Sequence, residues 1–225
     1  RRPPRSTPLY SSAASDVYKS QDHIFGFPFL ILDQKYISDR GSNVILNVHC
    51  PSNGREKLNN LCELAYPSSL TERMDKNVLI NEDSYGEILG VNGWNFERFK
   101  VVHDNFVDPN GYVFTHSSGF KMMHTGDSGP CETIESRVGD CDVVVIELGV
   151  PDHVVVPTHY RPETLSELAN KHPKTIFLAT HHYADDINSG KKPYLSNDLP
   201  NLPDNVIQVR DEQKFEWIDG KFKIL

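Results

Sequence analysis

The chain has 225 residues, 38% of them hydrophobic and 24% charged, which is enough for one domain with a real core. A formal net charge of −8 argues against a nucleic-acid backbone as the default partner. No apolar run approaches the length that spans a bilayer, and no signal-like segment opens the chain, so the sequence reads as soluble and cytoplasmic with no membrane partner.

In chain order, residues 1–20 are rich in proline, serine and basic side chains and read as an irregular N-terminal arm, with the folded domain over 21–225. The apolar stretch from Phe25 to Tyr36 suits a short helix or an edge element. Asn43 to Val48 alternates and is β-branched, so it reads as a strand ending before Pro51. Gly54 to Ala65 carries Leu58, Leu61, Cys62 and Ala65 at helical spacing and stops before Pro67. The middle third reads as successive antiparallel strands: Glu87 to Val91 and Phe96 to His103 around Asn92-Gly93, then Tyr112 to His116 and Phe120 to His124 around Ser117-Ser118-Gly119. Pro130 to Val138 is a short helix with proline at its start. Asp142 to Leu148 is a strand whose run Val143, Val144, Val145, Ile146 predicts burial on both faces. Pro162 to Lys171 is helical, with Leu165, Leu168 and Ala169 on one side. Thr175 to Thr180 is an apolar strand that delivers His181 and His182. Asn205 to Val209 and two short strands around Asp219-Gly220 close the chain. Cys50, Cys62, Cys131 and Cys141 match no close-spaced zinc pattern and read as buried reduced thiols.

The run Lys-Met-Met-His-Thr-Gly-Asp-Ser-Gly-Pro, Lys121 to Pro130, puts a carboxylate, Asp127, just past a strand in a turn with glycine on both sides. Open α/β sheets place ligands beyond the C-terminal tips of their strands. Here the tips are Val102-His103, Thr125-Asp127, Glu147 and Thr180-His181. Zinc takes imidazole and carboxylate together, whereas manganese or iron favours more oxygen. Plainer roles fit the same residues: His103 as a strand end, Asp127 as a helix cap or turn residue, and one of His181 and His182 as surface. Trp94, Met122 and Met123 read as core, and Asp185 and Asp186 as a solvated loop.

These motifs, taken together, resemble the metallo-β-lactamase superfamily over about Asp22 to Leu225. Members carry His-x-His-x-Asp-His, then a lone histidine, then aspartate in Gly-Asp-Ser/Thr-Gly, then a histidine ending a late strand. Asp22-His23-Ile24-Phe25-Gly26-Phe27-Pro28 looks like the end of the first motif, His103 like the lone histidine, Asp127 like the bridging carboxylate and His181 like the last ligand. His159 resembles the accessory histidine of phosphodiesterase-like and ribonuclease-Z-like members, with Glu147 as the acidic residue that ends the preceding strand.

The resemblance implies an α/β fold of the αββα sandwich type and a metal site of Asp22, His23, Asp127 and His181, with His103 left for a weaker first site. The two leading histidines of the first motif fall on Tyr18 and Ser20, so the expectation is one Zn2+, with a second ion, manganese or iron as alternatives. The family's N-terminal strand block is missing or incomplete here. Either a partner chain or a second copy completes the sheet, or residues are absent from the sequence, or the fold is trimmed. The function implied is metal-dependent hydrolysis of a phosphodiester or related ester, with Asp127, His103 and His159 as the catalytic groups, the last donating a proton to the leaving oxygen. Lactonase or other esterase chemistry stays open, and a large RNA substrate is disfavoured by the acidic balance. The rival is an inactive domain that stabilises or regulates a partner.

Overall fold

Alternation, buried valine runs and amphipathic spacing set most of the architecture. The computed structural model describes residues 24–36, 45–104, 107–183, 201–218 and 220–225. The expected N-terminal arm, Asp22, His23, Tyr18, Ser20, Asp185 and Asp186 lie outside the described residues. The chain divides into two units, Arg1–Asp83 and Ser84–Leu225.

In the first unit, α1 (Gly26–Tyr36) is a helix from the residue that follows Phe25, which removes the edge-element alternative. Strand β1 (Leu46–His49) pairs in parallel with β2 (Val78–Asn81). Parallel neighbours need a long crossover, and α2 (Gly54–Ala65) and α3 (Thr71–Asn77) supply it. Ile31, Cys62, Leu70, Met74 and Val78 form its core, with Leu58, Val48 and Ile80 against them. Asn53, the residue before helix α2, stands in the left-handed region at φ 65°. The Glu82 carboxylate accepts the Arg55 N–H at 3.1 Å, supplying an acceptor for a helix-terminal donor that lacks one within the helix.

The second unit is built on a seven-stranded sheet in the order β3-β4-β5-β6-β7-β8-β9. Its first half is an antiparallel meander: β3 (Tyr85–Glu87), β4 (Trp94–Lys100), β5 (Asn110–His116) and β6 (Lys121–His124). The second half is parallel: β6, β7 (Val143–Leu148), β8 (Ile176–His182) and β9 (Val206–Gln208). Helices α4 (Glu132–Val138) and α5 (Pro162–Lys171) carry the chain between β6 and β7 and between β7 and β8. Val143, Val144 and Ile146 are all buried, as a strand covered on both faces requires. Leu165, Leu168 and Ala169 of α5 join Met123, Val144, Phe177 and Ile134 in one core.

Several expectations shift at their edges: the strand expected from Asn43 to Val48 is Leu46–His49, and the one expected from Thr175 to Thr180 runs Ile176–His182. The first strand of the meander is Tyr85–Glu87 rather than Glu87 to Val91, because Ile88 to Gly93 is spent on the turn; the Val91 N–H donates to Ile88 O and the Ile88 N–H to Trp94 O. Strand β4 ends at Lys100, so His103 lies on the segment that leaves the sheet. Helix α4 starts at Glu132 with Cys131 before it, so Pro130 precedes the helix instead of opening it. Strands β10 (Phe215–Ile218) and β11 (Lys221–Ile224) form a separate antiparallel hairpin, with the Trp217 ring 5.1 Å from that of Phe120. All four cysteines are free. Cys62 and Cys141 are buried, and burial pushes both thiols up to about 11, while Cys50 and Cys131 are only half-buried. Among the described residues no helix is long and apolar enough to cross a membrane.

Candidate functional site

The parallel half of the sheet sends the ends of β6, β7 and β8 to one edge, and the candidate side chains gather there. Past β6, the Thr125 N–H still donates to Val145 O at 3.0 Å, which holds the chain in line with the sheet for one more residue. Gly126 then turns it at φ 62°, a left-handed value that costs glycine nothing. Its N–H donates to His124 Nδ1 at 3.0 Å, so His124 is part of the turn. Asp127 follows and is only 6% exposed.

Glu147 ends up buried near the tip of β7, at 1% exposure. A buried carboxylate is tolerable only when its oxygens are well supplied with donors. Here Oε1 takes the N–H of Ser128 at 3.3 Å and of Tyr160 at 3.2 Å, and Oε2 takes the Gly149 N–H. The fourth partner is His159, whose Nδ1 is 2.8 Å from Oε1. That hydrogen bond raises the pKa of His159 above the ordinary imidazole value; burial opposes the shift, and the charges of Glu147 and Asp127 add to it. Gly149 makes room for the pair. A Cβ there would stand 2.5 Å from Glu147 Oε2 and 2.8 Å from His159 Nδ1.

His181 arrives by a bulge in β8. Glu147 pairs with Thr180 and Leu148 with His182, so His181 is the extra residue between them, at φ 50°. Bulges re-aim side chains at sheet ends. This one brings His181 Nε2 to 3.7 Å from Asp127 Oδ2, within ion-pair range and beyond a hydrogen bond. His182 turns back, with Nε2 2.6 Å from Ala179 O. His103 completes the row: its Nδ1 donates to Thr158 O at 3.1 Å, which assigns the lone pair of the neutral ring to Nε2. The His103 and His159 rings meet edge-on at 5.0 Å, and those of His159 and His181 lie parallel at 6.2 Å.

Thus Asp127, His103, Glu147, His159 and His181 converge, while Asp22 and His23 lie outside the described residues. Among the described residues no three His, Cys, Asp or Glu side chains form a group that could hold a metal ion by themselves. Sequence reasoning missed Ser128, Gly149 and the Thr158 carbonyl. The glycine after Glu147-Leu148 was the available signal for the second, and a backbone carbonyl leaves none.

The sequence model described as the Beta-lactamase superfamily domain matches residues 21–182. The chain belongs to this superfamily. Its α/β fold is that of the metallo-β-lactamase sandwiches. Among solved structures, the metallo-beta-lactamase fold protein YhfI of Bacillus subtilis has a TM-score of 0.55 at 14% identity, over 72% of this chain and 61% of that one. The human tRNase Z short form, ELAC1, has a TM-score of 0.54 at 17% identity, over 73% and 69%. Unliganded yeast PDE1 has a TM-score of 0.55 at 15% identity, over 77% and 57%. The match takes in about three fifths of the bacterial and yeast chains. No curated protein matches the chain.

Proposed function

We propose that this metallo-β-lactamase-superfamily chain, over residues 21–225, is a metal-dependent hydrolase acting on a small phosphodiester or a related ester. The observation that carries the reading is the meeting of a buried carboxylate, Asp127, with an imidazole aimed at it by a bulge, His181, beside a second imidazole that a buried Glu147 keeps oriented and basic. Donors about 2.0–2.2 Å from one tetrahedral ion stand roughly 3.4 Å apart. The 3.7 Å between His181 Nε2 and Asp127 Oδ2 is close to that. Glu147 behind His159 and Thr158 O behind His103 are the outer partners that fix imidazole orientation at metal centres.

The donor chemistry therefore fits zinc, with manganese or iron as alternatives, held by Asp127 and His181. Asp22 and His23, the further ligands that the resemblance implies, lie outside the described residues, and His103 Nε2 is the further donor for a second ion or acts as a base. A bound zinc supplies Lewis acidity and a nucleophile at neutral pH. His159 does the proton work: Nδ1 is committed to Glu147, so Nε2–H is the proton available for the leaving oxygen. The structures of a tRNase Z and of PDE1 share the fold and support the phosphodiester class. The net charge of −8 favours a small substrate over a long polyanion.

A second reading, a domain without catalysis that serves a partner or a second copy, draws on the absence of a three-donor group among the described residues. Elemental analysis and hydrolysis of a chromogenic phosphodiester separate the two. The hydrolase carries about one ion per chain and loses both ion and activity in Asp127→Ala. A metal-free, inactive wild type that Asp127→Ala leaves unchanged would establish the second.

A further inference from the structure

We propose that Ser128 is a positioning residue of this site, whose buried hydroxyl sets where His103 stands. His103 belongs to no strand; the chain leaves β4 at Lys100, and the Val101 N–H still donates to Pro109 O at 3.3 Å. The next residue is held by the Asp127 turn. The Val102 N–H donates to Ser128 Oγ at 3.2 Å, and the Gly129 N–H donates to Val102 O at 2.8 Å. Ser128 is fully buried, and its one hydroxyl proton goes to Gly129 O at 2.8 Å. A hydroxyl carries one proton and two lone pairs, so donating to Gly129 O fixes the oxygen as acceptor for Val102.

The side chain and backbone of Ser128 thus serve different imidazoles. Its hydroxyl holds the residue before His103, and its N–H holds Glu147, the partner of His159. The loop that carries both Thr158 and His159 closes onto the same turn: Gly129 lies so near it that a Cβ would fall 1.9 Å from Pro157 O. Thr158 O then grips the far side of the His103 ring. His103 is fastened through Ser128 on its backbone and through Thr158 on its side chain. Replacing Ser128 by alanine removes the Val102 N–H bond, keeps the Gly129 N–H bond to Val102 O, and leaves the backbone N–H of residue 128 on Glu147.

The inference deepens the hydrolase reading, and it rests on that reading only for its kinetic arm. In zinc-loaded protein assayed on a chromogenic phosphodiester, Ser128→Ala lowers kcat about 10-fold. The double variant Ser128→Ala/His103→Ala is no slower than His103→Ala, whereas Ser128→Ala and His159→Gln multiply. The second arm needs no activity: in metal-free protein, nitrogen-15 NMR of the imidazoles shows the His103 signals displaced by Ser128→Ala, and displaced further than those of the neighbouring His159. Multiplication of Ser128→Ala with His103→Ala by the full single-variant factor would overturn the proposal, as would unmoved His103 signals. An inactive wild type with the NMR shifts present counts against the hydrolase reading alone.

Discussion

Imidazole chemistry at this site is set by single contacts. His159 owes its raised pKa first to the hydrogen bond that its Nδ1–H donates to Glu147, with burial opposing it. A group whose folded pKa is raised contributes stability that is fully present below its unfolded pKa and is lost as pH rises through the folded value. The Glu147–His159 pair therefore stabilises the fold below the ordinary imidazole pKa of about 6.5 and fades as the solution turns alkaline. If His159 is the proton donor of the proposed hydrolase, its protonated form must survive to donate, so the alkaline limb of the pH–rate profile is expected above that value. Glu147→Gln is expected to move this limb to lower pH and to cost about 10- to 100-fold in rate; an unmoved limb would detach His159 from Glu147. Gly149→Ala tests the same pair by space: a methyl at that position meets both partners, and we expect a loss of about 100-fold in kcat with secondary structure intact by circular dichroism. Strand ends and a Gly-Asp-Ser-Gly turn mark His103, Asp127 and the His181-His182 pair in the sequence, whereas the choice of His181 over His182 and of His159 came from the family resemblance. Ser128 and Gly149 were harder to see, since their roles are a buried hydroxyl bond and an absent side chain.

Elements with one strong period were legible, and those held by packing alone were not. The valine run of β7 and the Leu165, Leu168 and Ala169 face of α5 are where the patterns put them. Leu165 is fully buried, so Leu165→Ala is expected to lower the unfolding free energy by about 2–5 kcal/mol in urea titrations. A loss below about 1 kcal/mol would remove α5 from the core. Helix α3 and strand β2 went unread. The sequence Thr-Glu-Arg-Met-Asp-Lys-Asn has too few apolar residues for a helical period, and α3 forms because Met74 packs into the core beside Leu70. β2 is four residues whose partner, β1, is more than thirty positions away, a pairing that no local pattern reveals. The bulge that places His181 was equally hidden, because it depends on register against β7.

At the scale of the whole molecule, the formal net charge of −8 is what, under the proposed hydrolase reading, favours a small ester over a polyanion. Activity on a small phosphodiester should change little between about 50 and 200 mM salt, whereas a substrate held through many phosphates loses affinity steeply over that range. A steep loss would assign this chain a polyanionic substrate. The central claim is that the Asp127 carboxylate and the His181 imidazole share one ion. An anomalous-difference map at the zinc edge, from crystals of protein supplied with zinc, tests it most directly. We expect a peak about 2.0–2.2 Å from both Asp127 and His181. A map with zinc elsewhere, or with no peak beside that carboxylate, would contradict it.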